Sequence, residues 1–355
     1  MEAEGKRCTV SATDLELSIV TSFDAKIENE GTLTIPAKAI LNFAQYNSDP
    51  EVLLETSEGT QLKCTSRHAK AMIAGEASSE YPTITRVDRQ TSFALEADPL
   101  LRALHLVTFA SARTTLRPVL SGVYVRREKG HLVLVATDSY RLSECRIAAP
   151  GGDEDLACII PTKILEELKV ILGARKGDGK KEKTKEKDGE EVQSKREAAG
   201  VDVTLSKQQI EMQVGSTRLV SRLIDGKFPN YEQIIPKDAS TKVLFSVREL
   251  TTAAKRMHYF AKEMNNNLTF HCAGSETKVV TPQTQAGRDE ATIQTEITGG
   301  ENKIALSSSY LLDFLGHLDG ETLLMQISDP MHPAIFTVPE EKEYLHLIMP
   351  LRMQE

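Results

Sequence analysis

Two blocks of this sequence recur in the same order, and that recurrence limits the fold more than any other feature. Near the N-terminus, Val10-Ser11-Ala12-Thr13-Asp14-Leu15-Glu16-Leu17 shares its Ala-Thr-Asp frame with Val135-Ala136-Thr137-Asp138-Ser139-Tyr140-Arg141-Leu142. Downstream, Leu33-Thr34-Ile35-Pro36-Ala37-Lys38 returns as Cys158-Ile159-Ile160-Pro161-Thr162-Lys163, each opening an apolar pattern of helical spacing. A proline is tolerated in the first turn of a helix because the N–H it lacks would have had no partner there. A third frame links Thr91–His105 with Thr241–Lys255, a strand and then a helix in both. A chain repeating at this scale reads as a series of similar domains.

Three blocks result: 1–88, 89–237 and 238–355. The full unit is strand, helix, strands, helix, strands. In blocks two and three a strand and a helix precede the hairpin that carries Ala136-Thr137-Asp138 or its counterpart Val280-Thr281-Pro282. In block one Ala12 has only 11 residues before it, so by this periodicity one strand and one helix are predicted to be missing. Helices are predicted from about Pro36 to Tyr46, from an N-cap at Asp98, over Pro161–Leu172 and over Ser308–Leu318. Leu132–Val135 is a continuous apolar run read as a strand, and apolar residues returning at Tyr140, Leu142 and, less regularly, Ile147 suit a second strand with one buried face. Lys176–Ala198 holds eight basic and seven acidic residues, with Val192 its only aliphatic larger than Ala. Such a segment buries too little apolar surface to offset its ordering, so disorder is predicted there.

Composition excludes several classes. No apolar run approaches the roughly 18 residues of a membrane span. With no Trp and 5% aromatics, the cores should be aliphatic. The five cysteines are scattered without a CxxC pair, which reads as reduced thiols in the cytoplasm. Eight histidines form no HExxH, and neither a phosphate-binding GxxxxGK[ST] loop nor a GxSxG elbow is present, so no cofactor, metal or catalytic residue is expected. Asp14 and Asp138 hold matching frame positions in separate repeats. They read as hydrogen-bonding groups at strand ends, not as a catalytic pair.

Four motifs narrow the reading. Arg117-Pro118-Val119-Leu120-Ser121-Gly122, Ala136–Leu142, Phe228-Pro229-Asn230-Tyr231 and the near-terminal Met349-Pro350-Leu351-Arg352, in this order and spacing, resemble the bacterial DNA polymerase III beta subunit, the sliding-clamp family. The resemblance spans the chain except for the predicted missing start and the Lys176–Ala198 insertion. It implies an α+β fold of three similar clamp domains, each with helices on antiparallel sheets, closing a ring as a head-to-tail homodimer. It also implies a non-catalytic processivity factor that encircles double-stranded DNA without sequence specificity. Expected partners are the polymerase III alpha subunit, the clamp loader and other proteins carrying a clamp-binding motif, with no membrane association.

Residues carry over position by position. An apolar peptide-binding groove would be floored by Leu120, Leu142, Ile234, Leu347 and Met349. Its rim would hold Thr137, Ser139, Tyr140, Arg141 and Pro229 on one side. Tyr310, Met331, Pro333, Pro350 and Arg352 would complete it. The resemblance places Lys38, Arg102, Arg113, Lys163, Lys255 and Arg256 toward DNA. In keeping with this, the stretches Asp98–Arg117, Pro161–Arg175 and Arg248–Lys262 together carry a net charge of +6 in a chain of net −8. Basic helices on an acidic body suit loose phosphate contact. The dimer would set Ala71 and Ile73 against Tyr259 and Phe260. The alternative left open is a scaffold of the same fold that binds partner peptides but no longer closes around DNA.

Overall fold

A computed structural model describes residues 1–57, 60–114, 116–150, 156–181 and 200–352. The described residues fall into two compact units, one drawn from Met1–Ala94 and Ser194–Arg222, the other from Leu95–Gln193 and Leu223–Glu355.

In chain order, β1 (Glu2–Glu4), β2 (Arg7–Thr13), β3 (Leu17–Asp24) and β4 (Gly31–Thr32) precede helix α1 (Ala37–Tyr46). Then come β5 (Leu53–Ser57), β6 (Gln61–Thr65), β7 (Lys70–Ala74) and β8 (Thr91–Glu96), which runs into α2 (Ala97–Val107). The next strands are β9 (Gly122–Glu128), β10 (His131–Thr137), β11 (Arg141–Ala148) and β12 (Ala157–Pro161), followed by α3 (Thr162–Lys181). β13 (Gly200–Leu205), β14 (Gln209–Val214), β15 (Thr217–Arg222) and β16 (Thr241–Ser246) lead to α4 (Val247–Ala261). Strands β17 (Asn267–Ala273), β18 (Glu276–Val280), β19 (Glu290–Gln294), β20 (Glu296–Gly299) and β21 (Asn302–Ser307) precede α5 (Ser308–Leu315). β22 (Thr322–Ile327), β23 (Ala334–Val338) and β24 (Glu341–Ile348) complete the set.

The first unit holds an eight-stranded sheet, ordered β4-β1-β2-β3-β15-β14-β13-β8, and a three-stranded sheet, β5-β6-β7. The second holds a nine-stranded sheet, β12-β9-β10-β11-β24-β23-β22-β16-β20, and a four-stranded sheet, β19-β18-β17-β21. The repeats therefore share sheets: β3 of block one pairs antiparallel with β15 of block two, and β11 of block two with β24 of block three. Each junction satisfies two strand edges that would otherwise be left unpaired.

Helix packing follows the predicted amphipathicity. α2 buries Leu100, Ala103, Leu104, Leu106 and Val107 and packs on β10, β11 and α3, while α4 packs on α5. Three predicted details change. α2 begins at Ala97 with Glu96 as N-cap, so Asp98 lies inside the first turn, where its charge favours the positive end of the helix. α3 continues through Lys181 instead of stopping at Leu172, since adding a residue to a formed helix is far easier than starting one. The rest of the segment predicted as disordered, residues 182–198, lies outside the described residues. Finally, the core of the second unit is not purely aliphatic. Phe245, Phe270, Phe314 and Phe336 are fully buried there.

Candidate functional site

The repeated Ala-Thr-Asp frame builds the same turn twice. Asp138 Oδ1 accepts from the N–H groups of Tyr140 (2.9 Å) and Arg141 (3.0 Å), and Thr137 Oγ1 donates to the carbonyl of Arg141 at 2.6 Å. In the first copy Asp14 Oδ1 accepts from Glu16 N (3.1 Å) and Leu17 N (2.8 Å), and Thr13 Oγ1 donates to Leu17 O at 3.0 Å. Both turns place one non-glycine residue in the left-handed region, Ser139 at φ 80° and Leu15 at φ 75°. The two aspartates are turn-forming groups, as their matching positions predicted. Tyr140 belongs to this turn and not to the strand predicted to begin there.

Directly after the turn, β11 pairs with β24 in a register that sets Leu142 opposite Leu347. Opposed residues in an antiparallel pair project to the same face, so the two leucines stand side by side. They join a cluster with Leu120, Val133, Val135, Ile159, Phe228 and Tyr231, against which Val119, Ile224, Ile235 and Met349 pack. Phe228 stacks on Tyr124 at 4.9 Å and meets Tyr231 edge-on at 6.4 Å. Burial raises the Tyr231 phenol above its ordinary value, and Arg126 Nη2 donates to its oxygen at 3.3 Å.

Four of the five predicted floor residues, Leu120, Leu142, Leu347 and Met349, thus lie together. The fifth, Ile234, is 41% exposed, and its neighbour Ile235 packs on the cluster instead. Tyr140 (61%) and Met331 (81%) present large apolar surface to solvent, Ser139, Pro229 and Arg352 are exposed, and Tyr310 and Pro350 are partly buried. Thr137 and Pro333 are buried. Tyr140 and Tyr310 lie 16° from parallel with ring centroids 6.2 Å apart.

Strand alternation changes the place of Arg141. Because Leu142 faces the cluster, Arg141 projects to the opposite side of the sheet, where it is only 5% exposed. There Nε donates to Asp138 Oδ2 (3.1 Å), Nη1 to Asp313 Oδ2 (2.6 Å) and Nη2 to the Phe109 carbonyl (2.8 Å). The guanidinium carbon sits 5.2 Å and 5.0 Å from the ring centroids of Phe109 and Tyr310. Cations gain from such aromatic faces. Ser143 and His346 share this side, with Ser143 Oγ 2.8 Å from His346 Nδ1 and His346 stacked on Phe314 at 4.2 Å. Burial holds the His346 imidazole well below its ordinary range.

The chain end completes the geometry. Met349 N donates to the carbonyl of Tyr140 at 2.8 Å, one step past the β11–β24 ladder. Pro350 cannot donate, and Leu351 N turns to the Ala305 carbonyl of β21 at 2.8 Å. The sequence reading missed Val119, Phe228, Tyr231, Ile235 and Asp313. Phe228 and Tyr231 carried a signal, being the aromatic ends of a quoted motif. Asp313 carried none, because nothing in the sequence places it beside Arg141.

The remaining predicted residues fall elsewhere. Lys38, Arg113, Lys163 and Lys255 are exposed. Arg102 is instead committed to Asp319 (2.7 Å) and Glu341 (2.6 Å), and Arg256 pairs with Asp289 through Nε at 2.8 Å and Nη2 at 3.0 Å. Ala71 and Ile73 lie on β7, an edge strand, but their side chains turn inward onto Leu33, Leu62 and Cys64. Tyr259 and Phe260 form an edge-to-face pair at 5.3 Å, with Tyr259 exposed. Among the described residues no cluster of His, Cys, Asp and Glu could hold a metal ion, and no helix is long and apolar enough to cross a membrane.

Three family models match in chain order. The N-terminal domain of the DNA polymerase III beta subunit matches residues 1–85, the central domain 94–180 and the C-terminal domain 232–352. Among curated relatives, beta sliding clamps of Synechocystis sp. and Staphylococcus epidermidis are 26% and 24% identical, each match covering 99% of this chain and 90% of the relative. Among solved structures, the DNA polymerase III beta subunit of Thermotoga maritima superposes with a TM-score of 0.87 at 22% identity. A Pseudomonas aeruginosa sliding clamp bound to griselimycin does so at 0.86 and 23%. Both cover 99% of this chain and 90% of the other, and at this identity they speak for the fold.

Proposed function

Because the chain belongs to the DNA polymerase III beta subunit family, we propose that it is a processivity factor, a non-catalytic ring that slides on duplex DNA and tethers partners through the groove beside the β11–β24 pair. The observation that carries the groove is the Leu142–Leu347 pair within its apolar cluster, with the exposed Tyr140 immediately preceding β11. An extended peptide binds such a surface through a few buried side chains, each worth roughly 1.5–3 kcal/mol. Its sources would be the polymerase III alpha subunit, the clamp loader and other proteins with a clamp-binding segment, all in the cytoplasm. The repeats at 1–88, 89–237 and 238–355 are read as the three clamp domains of each subunit. A head-to-tail homodimer would join β7 of one copy to the Tyr259–Phe260 end of α4 in the next. Since Ala71 and Ile73 point inward, that contact would run along the backbone edge of β7.

DNA contact would come from Lys38, Arg113, Lys163 and Lys255, with Arg102 and Arg256 held by carboxylates. That neutralisation favours a second reading, a scaffold that binds peptides without encircling DNA. One experiment separates the two. The protein is loaded by its cognate clamp loader and ATP onto nicked circular DNA, then challenged with salt and with linearisation. A processivity clamp stays on the circle through a salt wash and slides off once it is cut. Protein that binds a polymerase-derived peptide but is never retained on the circle would establish the scaffold.

A further inference from the structure

We propose that Asp313 is a positioning residue for the groove: by holding Arg141 it locks the β10–β11 turn to α5 and sets the spacing of Tyr140 and Tyr310 at the rim. The inference rests on the reading of this groove as a peptide site.

The chain contains its own control. The turn at Thr13–Leu17 reproduces the hydrogen bonds of the turn at Thr137–Arg141, with the same left-handed residue at its centre. At the position of Arg141 the first copy has Leu17, which is buried. The turn therefore closes without an arginine. What the arginine adds in the second copy is a tie to other elements, to the Phe109 carbonyl just beyond α2 and to Asp313 on α5.

Asp313 follows Tyr310 by three residues on α5, so the two share a helix face. Arg141 immediately follows Tyr140. The 2.6 Å contact between the Arg141 guanidinium and Asp313 thus fixes the backbone under one rim tyrosine relative to the helix bearing the other. The guanidinium also lies over the Tyr310 ring. A partly buried ion pair returns little net stability, because desolvation of the buried guanidinium offsets much of the attraction, but its directional bonds can select one arrangement.

The test uses the full-length protein with two probes, a labelled clamp-binding peptide from the cognate polymerase alpha subunit and griselimycin. Asp313→Asn keeps the shape and removes the charge. The double variant Arg141→Leu/Asp313→Leu replaces the pair with apolar groups, as Leu17 does in the first copy. Both variants should bind the peptide about tenfold more weakly than wild type. The double variant should do so while its melting temperature and sedimentation stay at wild-type values. A purely structural role predicts instead that the double variant regains affinity along with stability. Wild-type peptide affinity in the double variant would overturn the proposal. Wild-type protein that binds neither probe would overturn the groove reading on which it stands.

Discussion

At the scale of single residues, the two sides of one strand have opposite chemistry. Leu142 faces an apolar cluster, while Arg141 and Ser143 face a buried polar layer with His346, whose Nε2 has no hydrogen-bond partner. His346 therefore resists protonation in the folded chain. The unfolded chain takes up that proton near pH 6.5. The unfolded state then binds more protons below that pH, so this contribution to stability is present above about 6.5 and is lost as the pH falls. Burial shifts His105, His258 and His271 in the same direction. Replacing His346 with Asn should flatten the acid-side slope by up to about 1.4 kcal/mol per pH unit. Urea unfolding of both proteins at pH 5.5 and 7.5 measures it, and equal slopes would show that His346 is not the group being titrated.

At the scale of elements, the groove depends on two strand ends. Gly122 opens β9, where a Cβ would come within 2.7 Å of Ile159 Cγ2 and the Ile160 carbonyl and 2.8 Å of Ile224 Cδ1. The backbone carbonyl cannot swing aside, so Gly122→Ala should force β9 and β12 apart. The expected cost is about 1–3 kcal/mol, as for other overpacked sites, and thermal melting would register it. Because Ile159 and Ile224 belong to the groove cluster, peptide affinity should fall as well. At the other end, removing residues 349–355 deletes Met349 and the crossing from β24 to β21. The loss of a wall worth roughly 3 kcal/mol would weaken a micromolar peptide more than a hundredfold. A peptide titration beside a sedimentation run checks both halves of the expectation, since the dimer should persist. Unchanged affinity would mean that the groove lies elsewhere.

At the scale of the whole molecule, apolar exposure is unevenly distributed. Among the described residues, eight of the exposed large hydrophobic side chains lie from Leu15 to Met72. Helix α1 has no buried residue, whereas α2, α4 and α5 all bury several. Leu41 and Tyr46 on α1 are 64% and 76% exposed. Exposed apolar side chains on a helix face favour association. The protein should therefore form species larger than a dimer at micromolar concentration, and Leu41→Lys with Tyr46→Lys should suppress them without lowering the melting temperature. Sedimentation velocity of the two proteins across a concentration series decides this; identical profiles would rule out α1 as the contact.

The amino-acid sequence alone determined the order and repetition of the elements, because these are written in local, repeated signals. Alternation marked the strands, a 3.6-residue period marked the helices, and the doubled Ala-Thr-Asp and Pro-x-Lys frames announced similar units before any contact was visible. The recurrence of Asp14 and Asp138 even identified turn-forming carboxylates. Only the tertiary structure decided which residues meet. The family resemblance grouped Tyr140, Arg141 and Leu142, but a strand turns alternate side chains to opposite faces and sets Arg141 on the other side of the sheet from Leu142. Ile234 is exposed while Ile235 packs on the cluster, a difference of one residue that no periodicity of an irregular segment encodes. Arg102 and Arg256 looked like phosphate ligands from helix charge, and their carboxylate partners lie 217 and 33 residues further along the chain. Pairings at such separations depend on how the chain returns on itself, which no local period encodes.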